Sequence, residues 1–200
     1  MQEKIEELDQ QVFLFLNGLH NEFFDVVMYW ITLKYTWFPF YGLLVIFLIW
    51  KYRLQGFYMV LAIGLAVSFS DQFTSAFMKP YFVRLRPCYE PDLEGTIHVV
   101  AGCGGKYGFA SSHAANAFGF ATIVWLLLRN TYRYLGWLFV WAAVVSYSRI
   151  YMGVHYPVDI IIGGLCGFLF GWVVFWLYQL TVGKAWKEKE YDAGNDMVET

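Results

Sequence analysis

The chain has 200 residues, 58% of them hydrophobic, 22% aromatic and only 15% charged, with a formal net charge of −2. So much apolar surface with so little charge excludes an ordinary soluble domain, and without a basic run there is no footing for nucleic acid. What remains is an all-α integral membrane protein whose aromatic residues suit interfacial belts.

The N-terminal segment MQEKIEELDQ is acidic and lacks the basic start and apolar core of a secretory signal, so none is expected. Residues 3–19 carry Ile5, Leu8, Val12, Phe15, Leu16 and Leu19 at spacings of three and four, which predicts a helix. Glu3, Glu6, Glu7 and Asp9 are too many charges for a span, so this helix is expected to lie on the membrane or on the bundle. Phe23 to Leu33 is apolar but short, and is expected to be re-entrant or interfacial.

Five spans are predicted after it, at 36–51, 56–78, 113–129, 134–152 and 157–180, giving a bundle of five to six transmembrane helices. One membrane-embedded domain is expected over 1–186: 1–35 interfacial, 36–180 the helix bundle, and 187–200 a polar, disordered tail. Lys51 and Arg53, Arg129 and Arg133, and Lys184, Lys187 and Lys189 fall at alternate junctions, so the positive-inside rule puts those junctions in the cytoplasm. Lys79, His113, Arg149, His155 and Asp159 then all reach the outer face. The loop between the second and third spans holds Cys88 and Cys103, either bonded or as two free thiols; Cys166 lies in an apolar span and reads as small core packing.

Ionisable groups at the edge of a bilayer's hydrocarbon are costly and point to function. Three clusters hold them. In KPYFVRLRP, Lys79 and Arg86 are cations that suit phosphate, and Pro80 and Pro87 predict an extended or turned segment; taken alone, the cluster equally fits a basic stretch meeting lipid headgroups. In ASSH, Ser111 and Ser112 precede an apolar helix whose first amides form an anion site, with His113 in the first turn; alone, this is also a capping serine beside an interfacial histidine. In SRIYMGVHYPVD, His155 and Asp159 are four apart, on one helical face, with Pro157 suited to the first helical position and Arg149 upstream. A carboxylate on one imidazole nitrogen fixes the tautomer and frees the other, though a structural His–Asp bond has the same spacing. Lysine and arginine around the pair would repel a cation, so no metal and no cofactor are expected.

The ordered set Lys79-x6-Arg86-Pro87, Ser111-Ser112-His113 and Ser148-Arg149-x5-His155-x3-Asp159 closely resembles the signature of the type 2 phosphatidic acid phosphatases, the membrane branch of the acid phosphatase and vanadium haloperoxidase superfamily, over residues 56–180. The middle motif departs from it: the family usually has Pro-Ser-Gly-His where this chain has Ala110-Ser111-Ser112-His113. Losing glycine adds a side chain where amides should approach phosphate, which either narrows the pocket or adds a hydroxyl contact. The resemblance implies that His155 is the nucleophile of a phosphohistidine intermediate, Asp159 its orienting carboxylate and His113 the general acid and then base. It implies that Lys79, Arg86 and Arg149 hold the phosphoryl oxygens, helped by Ser111 and the amides near Ser112.

A site at headgroup level on apolar spans suits a lipid phosphate in the bilayer. Undecaprenyl diphosphate is the first expectation, at the outer face of a bacterial plasma membrane, with phosphatidylglycerol phosphate, phosphatidate and lipid A phosphates as alternatives. A non-catalytic phospholipid binder or a transporter is the competing class.

Overall fold

The computed structural model describes residues 2–183; the tail from 187 and the cluster Lys184, Lys187 and Lys189 lie outside the described residues. Regular structure among the described residues is helical, with one isolated bridge between Leu85 and Tyr107. Helix α1 spans Gln2–Asn17, α2 Glu22–Thr32, α3 Phe38–Gln72, α4 Lys79–Phe82, α5 Ser112–Leu128, α6 Trp137–Tyr151 and α7 Pro157–Tyr178. Two continuous helical runs, Lys34–Phe82 and Pro157–Gly183, are long and apolar enough to cross a membrane, and α5 is a shorter apolar helix.

α3 is two helices joined without a loop. Arg53 alone leaves helical geometry, at φ +52° and ψ −124°. A Cβ on Gly56 would stand 2.0 Å from the Leu48 carbonyl oxygen. Eight residues along an unbroken helix are separated by about 12 Å, so the chain has turned back on itself within the junction expected between residues 51 and 56. Only glycine permits that approach. The Lys51 ammonium donates to the Tyr132 hydroxyl, joining this reversal to the turn between α5 and α6.

At its far end α3 widens into a π-helical stretch, Phe73–Met78, that runs into α4. Lys79 to Phe82 is therefore helical, not extended as Pro80 had suggested. Pro80 sits in the first turn of α4, where its missing N–H is tolerated. Val83, at φ +53°, ends the helix, and the chain becomes extended at Arg86.

α5 and α7 form the tightest helix pair. Gly163, Gly167 and Gly171 recur every four residues along α7, and a Cβ on Gly167 would stand 2.1 Å from the Ala115 carbonyl oxygen. Small residues at this spacing let backbones touch. Gly167→Val is expected to cost about 3 kcal/mol through overpacking, read as a lower unfolding temperature in detergent; Gly42→Ala, in open space, should leave it unchanged or slightly raised.

α1 packs on the bundle, one of the two placements expected from sequence. Its apolar stripe, Ile5, Leu8, Val12 and Phe15, is exposed, while Asp9, Phe13 and Asn17 are buried. Phe13 meets Tyr156 edge to face at 5.3 Å. The Asn17 amide donates to the carbonyls of His98, Ile150 and Tyr151 and accepts from the His98 N–H at 2.8 Å. One polar side chain thus ties α1 to the long loop and to the end of α6.

Candidate active site

The site lies at the end of the bundle opposite the Arg53 reversal. It opens onto a cavity of about 570 Å³ whose lining includes Lys79, Arg86, Ser112, His113, Arg149 and His155. These residues come from α4, the long loop, the start of α5, the end of α6 and the turn before α7. Segments far apart in sequence converge because the α3 hairpin and the α5–α6 connection return the chain to the same end.

The turn before α7 positions the histidine. Gly153, at φ +73°, makes the reversal after α6, and a Cβ there would stand 2.7 Å from the His98 carbonyl. Pro157 takes the first position of α7, and the third-position Asp159 reaches back to accept the Tyr156 N–H at 3.1 Å. The same Asp159 oxygen is 3.3 Å from His155 Nδ1. Both residues are buried. A carboxylate on Nδ1 keeps the proton there and leaves Nε2 as the basic nitrogen. Burial, and then Arg149, Arg86, Lys79 and Arg84, hold the His155 imidazole well below the usual histidine range, so it is neutral at pH 7.

Each cation is held in place by the protein. Arg149 Nη1 donates to Thr32 Oγ1 at 2.5 Å, which brings α2 into the site. Arg86 donates from Nε to the Tyr107 carbonyl at 3.2 Å and from Nη1 to the Cys103 carbonyl at 2.6 Å. Cys103 is disulfide-bonded to Cys88, so the bridge anchors the strand of loop that carries that carbonyl. Lys79 Nζ donates to Ser112 Oγ at 2.8 Å, and Ser75 and Thr74 place their hydroxyls 2.9 Å and 3.1 Å from the same oxygen. Of the two outcomes open for serine in place of glycine, the geometry contains the added hydroxyl contact.

Ser111 sits beneath the site. Its hydroxyl accepts the Ala114 N–H at 3.5 Å as the α5 cap, and its N–H donates to the Asp159 carbonyl at 2.9 Å. It locks the start of α5 to the start of α7, and of the two serines it is Ser112 that lines the cavity.

Three residues outside the sequence-based site complete it. Arg84 donates from Nη1 to Asp159 Oδ1 at 2.9 Å and from Nη2 to Asp9 Oδ2 at 2.6 Å, and its guanidinium lies 4.3 Å from the centre of the Tyr156 ring. Asp9 Oδ1 also accepts the Val158 N–H at 2.9 Å. Burial pushes the Asp9 carboxyl up against the pull of Arg84. α1 therefore reaches the dyad through Asp9, Arg84 and Asp159. Gly108 packs on the dyad itself: a Cβ there would stand 3.0 Å from Asp159 Oδ2 and 3.5 Å from His155 Nδ1.

A dry-walled cavity with fixed cations at one end, a neutral imidazole oriented by a carboxylate and a second histidine can bind a phosphoryl group and attack it. Comparison with known proteins points to a phosphatase. The PAP2 superfamily matches residues 55–182. The lipid A 4'-phosphatase of Bacteroides thetaiotaomicron is 36% identical over 188 residues, covering 90% of this chain and 82% of that protein. The undecaprenyl-diphosphatase of Sulfolobus acidocaldarius is 30% identical over 149 residues, covering 74% and 64%. The structure of a transmembrane PAP2 type phosphatidylglycerolphosphate phosphatase from Bacillus subtilis shares the fold, with a TM-score of 0.65 at 20% identity over 93% of this chain and 87% of that one.

Proposed function

The chain belongs to the PAP2 superfamily and is a lipid phosphatase, and we propose that it hydrolyses a lipid phosphomonoester through a phosphohistidine on His155. The observation that carries the mechanism is the buried His155–Asp159 pair opening onto a cavity with Lys79, Arg86 and Arg149. The three cations take the phosphoryl oxygens, with Ser112 holding Lys79 in register. His155 Nε2 attacks phosphorus, forming the P–N bond as the P–O bond to the lipid breaks, and His113 gives its proton to the departing oxygen. His113 then takes a proton from water, whose oxygen attacks phosphorus and releases phosphate from His155. Asp159 supports the positive charge that develops on the imidazole. The charge spread over the transferring oxygens is met by side-chain cations, so a metal-independent reaction follows.

One membrane-embedded unit over the described residues 2–183 carries this chemistry: five spans from the two legs of α3 and from α5, α6 and α7, with α2 interfacial. The exposed stripe of α1 faces lipid, which explains why an apolar face is left unburied by protein. Arg53, Arg129 and Arg133 mark the cytoplasmic end, and the site faces the periplasm.

For substrate, the relative at 36% identity over most of both chains favours a phosphate on lipid A. Undecaprenyl diphosphate, the first expectation from sequence, becomes the second reading, supported by the diphosphatase relative at 30%. The test is phosphate release by the purified chain from lipid A, phosphatidate, phosphatidylglycerol phosphate and undecaprenyl diphosphate, with and without chelator. Release from lipid A that is fastest and unaffected by chelator is expected. Loss of activity in chelator would overturn the metal-independent mechanism, and release from none of the four would overturn the substrate class.

A further inference from the structure

Inward from the phosphate-facing residues, the cavity changes character in a single layer. Along α3 its lining runs Asp71, Val67, Gly64, Val60; along α5 it runs His113, Asn116, Ala117, Phe120. Asp71 and Asn116 therefore lie one helical turn inside Ser75 and His113 and one turn outside Val67 and Phe120. They are joined: Asn116 Nδ2 donates to Asp71 Oδ1 at 2.9 Å. Asp71 is the one carboxylate among the described residues lining the cavity, in a wall that also holds Lys34, Lys79, Arg86 and Arg149. The hydrogen bond from Asn116 occupies Asp71 Oδ1 alone, and Asn116 Oδ1 is buried and unpaired.

A carboxylate beside a phosphate site repels the substrate's charge, and beyond its attraction for Lys79 none of the steps from phosphate binding to phosphate release uses it. From this juxtaposition of cation cradle, acceptor pair and apolar slot, we infer that Asp71 and Asn116 form a headgroup subsite that accepts hydrogen bonds from hydroxyl or amide N–H groups, selecting a phosphate carried on an acylated sugar over one carried directly on a hydrocarbon chain or esterified glycerol. The inference rests on the lipid phosphatase reading and names the part of the substrate next to the phosphate. Selection works in both directions. A sugar fills the layer with donors, whereas a methylene chain drawn past it would strip water from Asp71 and return nothing, and leaving such a group unpaired is a strong basis for rejection.

The test compares kcat/KM of the full-length protein on two phosphomonoesters, lipid A and phosphatidate, which has no donor beside its phosphate. In Asp71→Leu, turnover of lipid A should fall roughly 10- to 100-fold while phosphatidate turnover holds or rises. Asp71→Asn, close in size, should move the ratio the same way by less, and it serves if the leucine variant does not fold. Opposite responses to the two substrates cannot come from misfolding. A parallel fall on both, an unchanged ratio, or a wild-type protein that prefers phosphatidate would overturn the subsite while leaving the phosphatase reading standing. A wild-type protein inactive on every lipid phosphate would remove that reading instead.

Discussion

His155→Ala is expected to lower phosphate release by about 10⁴-fold or more, the scale seen when a nucleophile is deleted from a catalytic unit. The fold should survive, because Asp159 keeps Arg84 and the Tyr156 N–H. The pH dependence of the wild type carries more information. A proton on His155 removes the nucleophile, and burial together with four neighbouring cations opposes that proton. The acid limb of kcat/KM should therefore fall well below the ordinary histidine value of about 6.5. Stability follows the same sign. Below about 6.5 the unfolded chain binds a proton at this position and the folded one does not. The contribution is thus present above that value and lost as the pH falls below it. An acid limb at or above 6.5 would contradict a buried neutral nucleophile.

Arg84→Met should produce the second-largest effect, although Arg84 does not line the cavity. It bridges two carboxylates, and Asp159 is fully buried. Removing one partner of a buried ion pair typically costs about 3–5 kcal/mol, because the other charge is left without compensation. Asp159 would then take up a proton more readily and lose its hold on His155 Nδ1. A loss of kcat of about 100-fold is expected, at little change in KM. The acid limb should also move up toward neutral pH, since one of the cations that repel a proton from His155 is gone. Asp9→Asn removes a negative charge from the outer end of the same bridge and should move the acid limb the opposite way, slightly down. Arg84→Met with a lowered unfolding temperature but an unmoved acid limb would assign Arg84 to the fold alone.

The residues whose chemistry stands out in an apolar chain were legible. Two histidines, one carboxylate and three cations at fixed spacings are expensive to keep at a membrane edge; the histidines and cations line one cavity, and Asp159 is buried behind His155. Arg84 and Asp9 carry the same kinds of charge and were passed over, since their roles exist only once α1 docks. Asp9 looked like an obstacle to a span, and the apolar stripe at three- and four-residue spacing left the helix lying either on the membrane or on the bundle. The structure buries Asp9 and Asn17 against the bundle and leaves the stripe exposed, the arrangement a lipid-facing helix requires. Gly108 is one of several loop glycines, and nothing in its neighbourhood marks it as the one against His155. Thr32, which holds Arg149, lies in a segment too short to read as more than interfacial. The four-residue glycine repeat of α7 could have been read, as could the reversal at Arg53, whose flanking cations were seen while its tightness, set by Gly56 against Leu48, required coordinates.

The most direct measurement is capture of the intermediate. Wild-type protein turning over a lipid substrate labelled on phosphorus, quenched rapidly in alkali, should carry label that is stable to base and lost in acid. The label should map to the peptide bearing His155 and be absent from His155→Ala. Turnover with no labelled protein at any quench time, or label on a serine or carboxylate instead, would contradict attack by His155 on phosphorus.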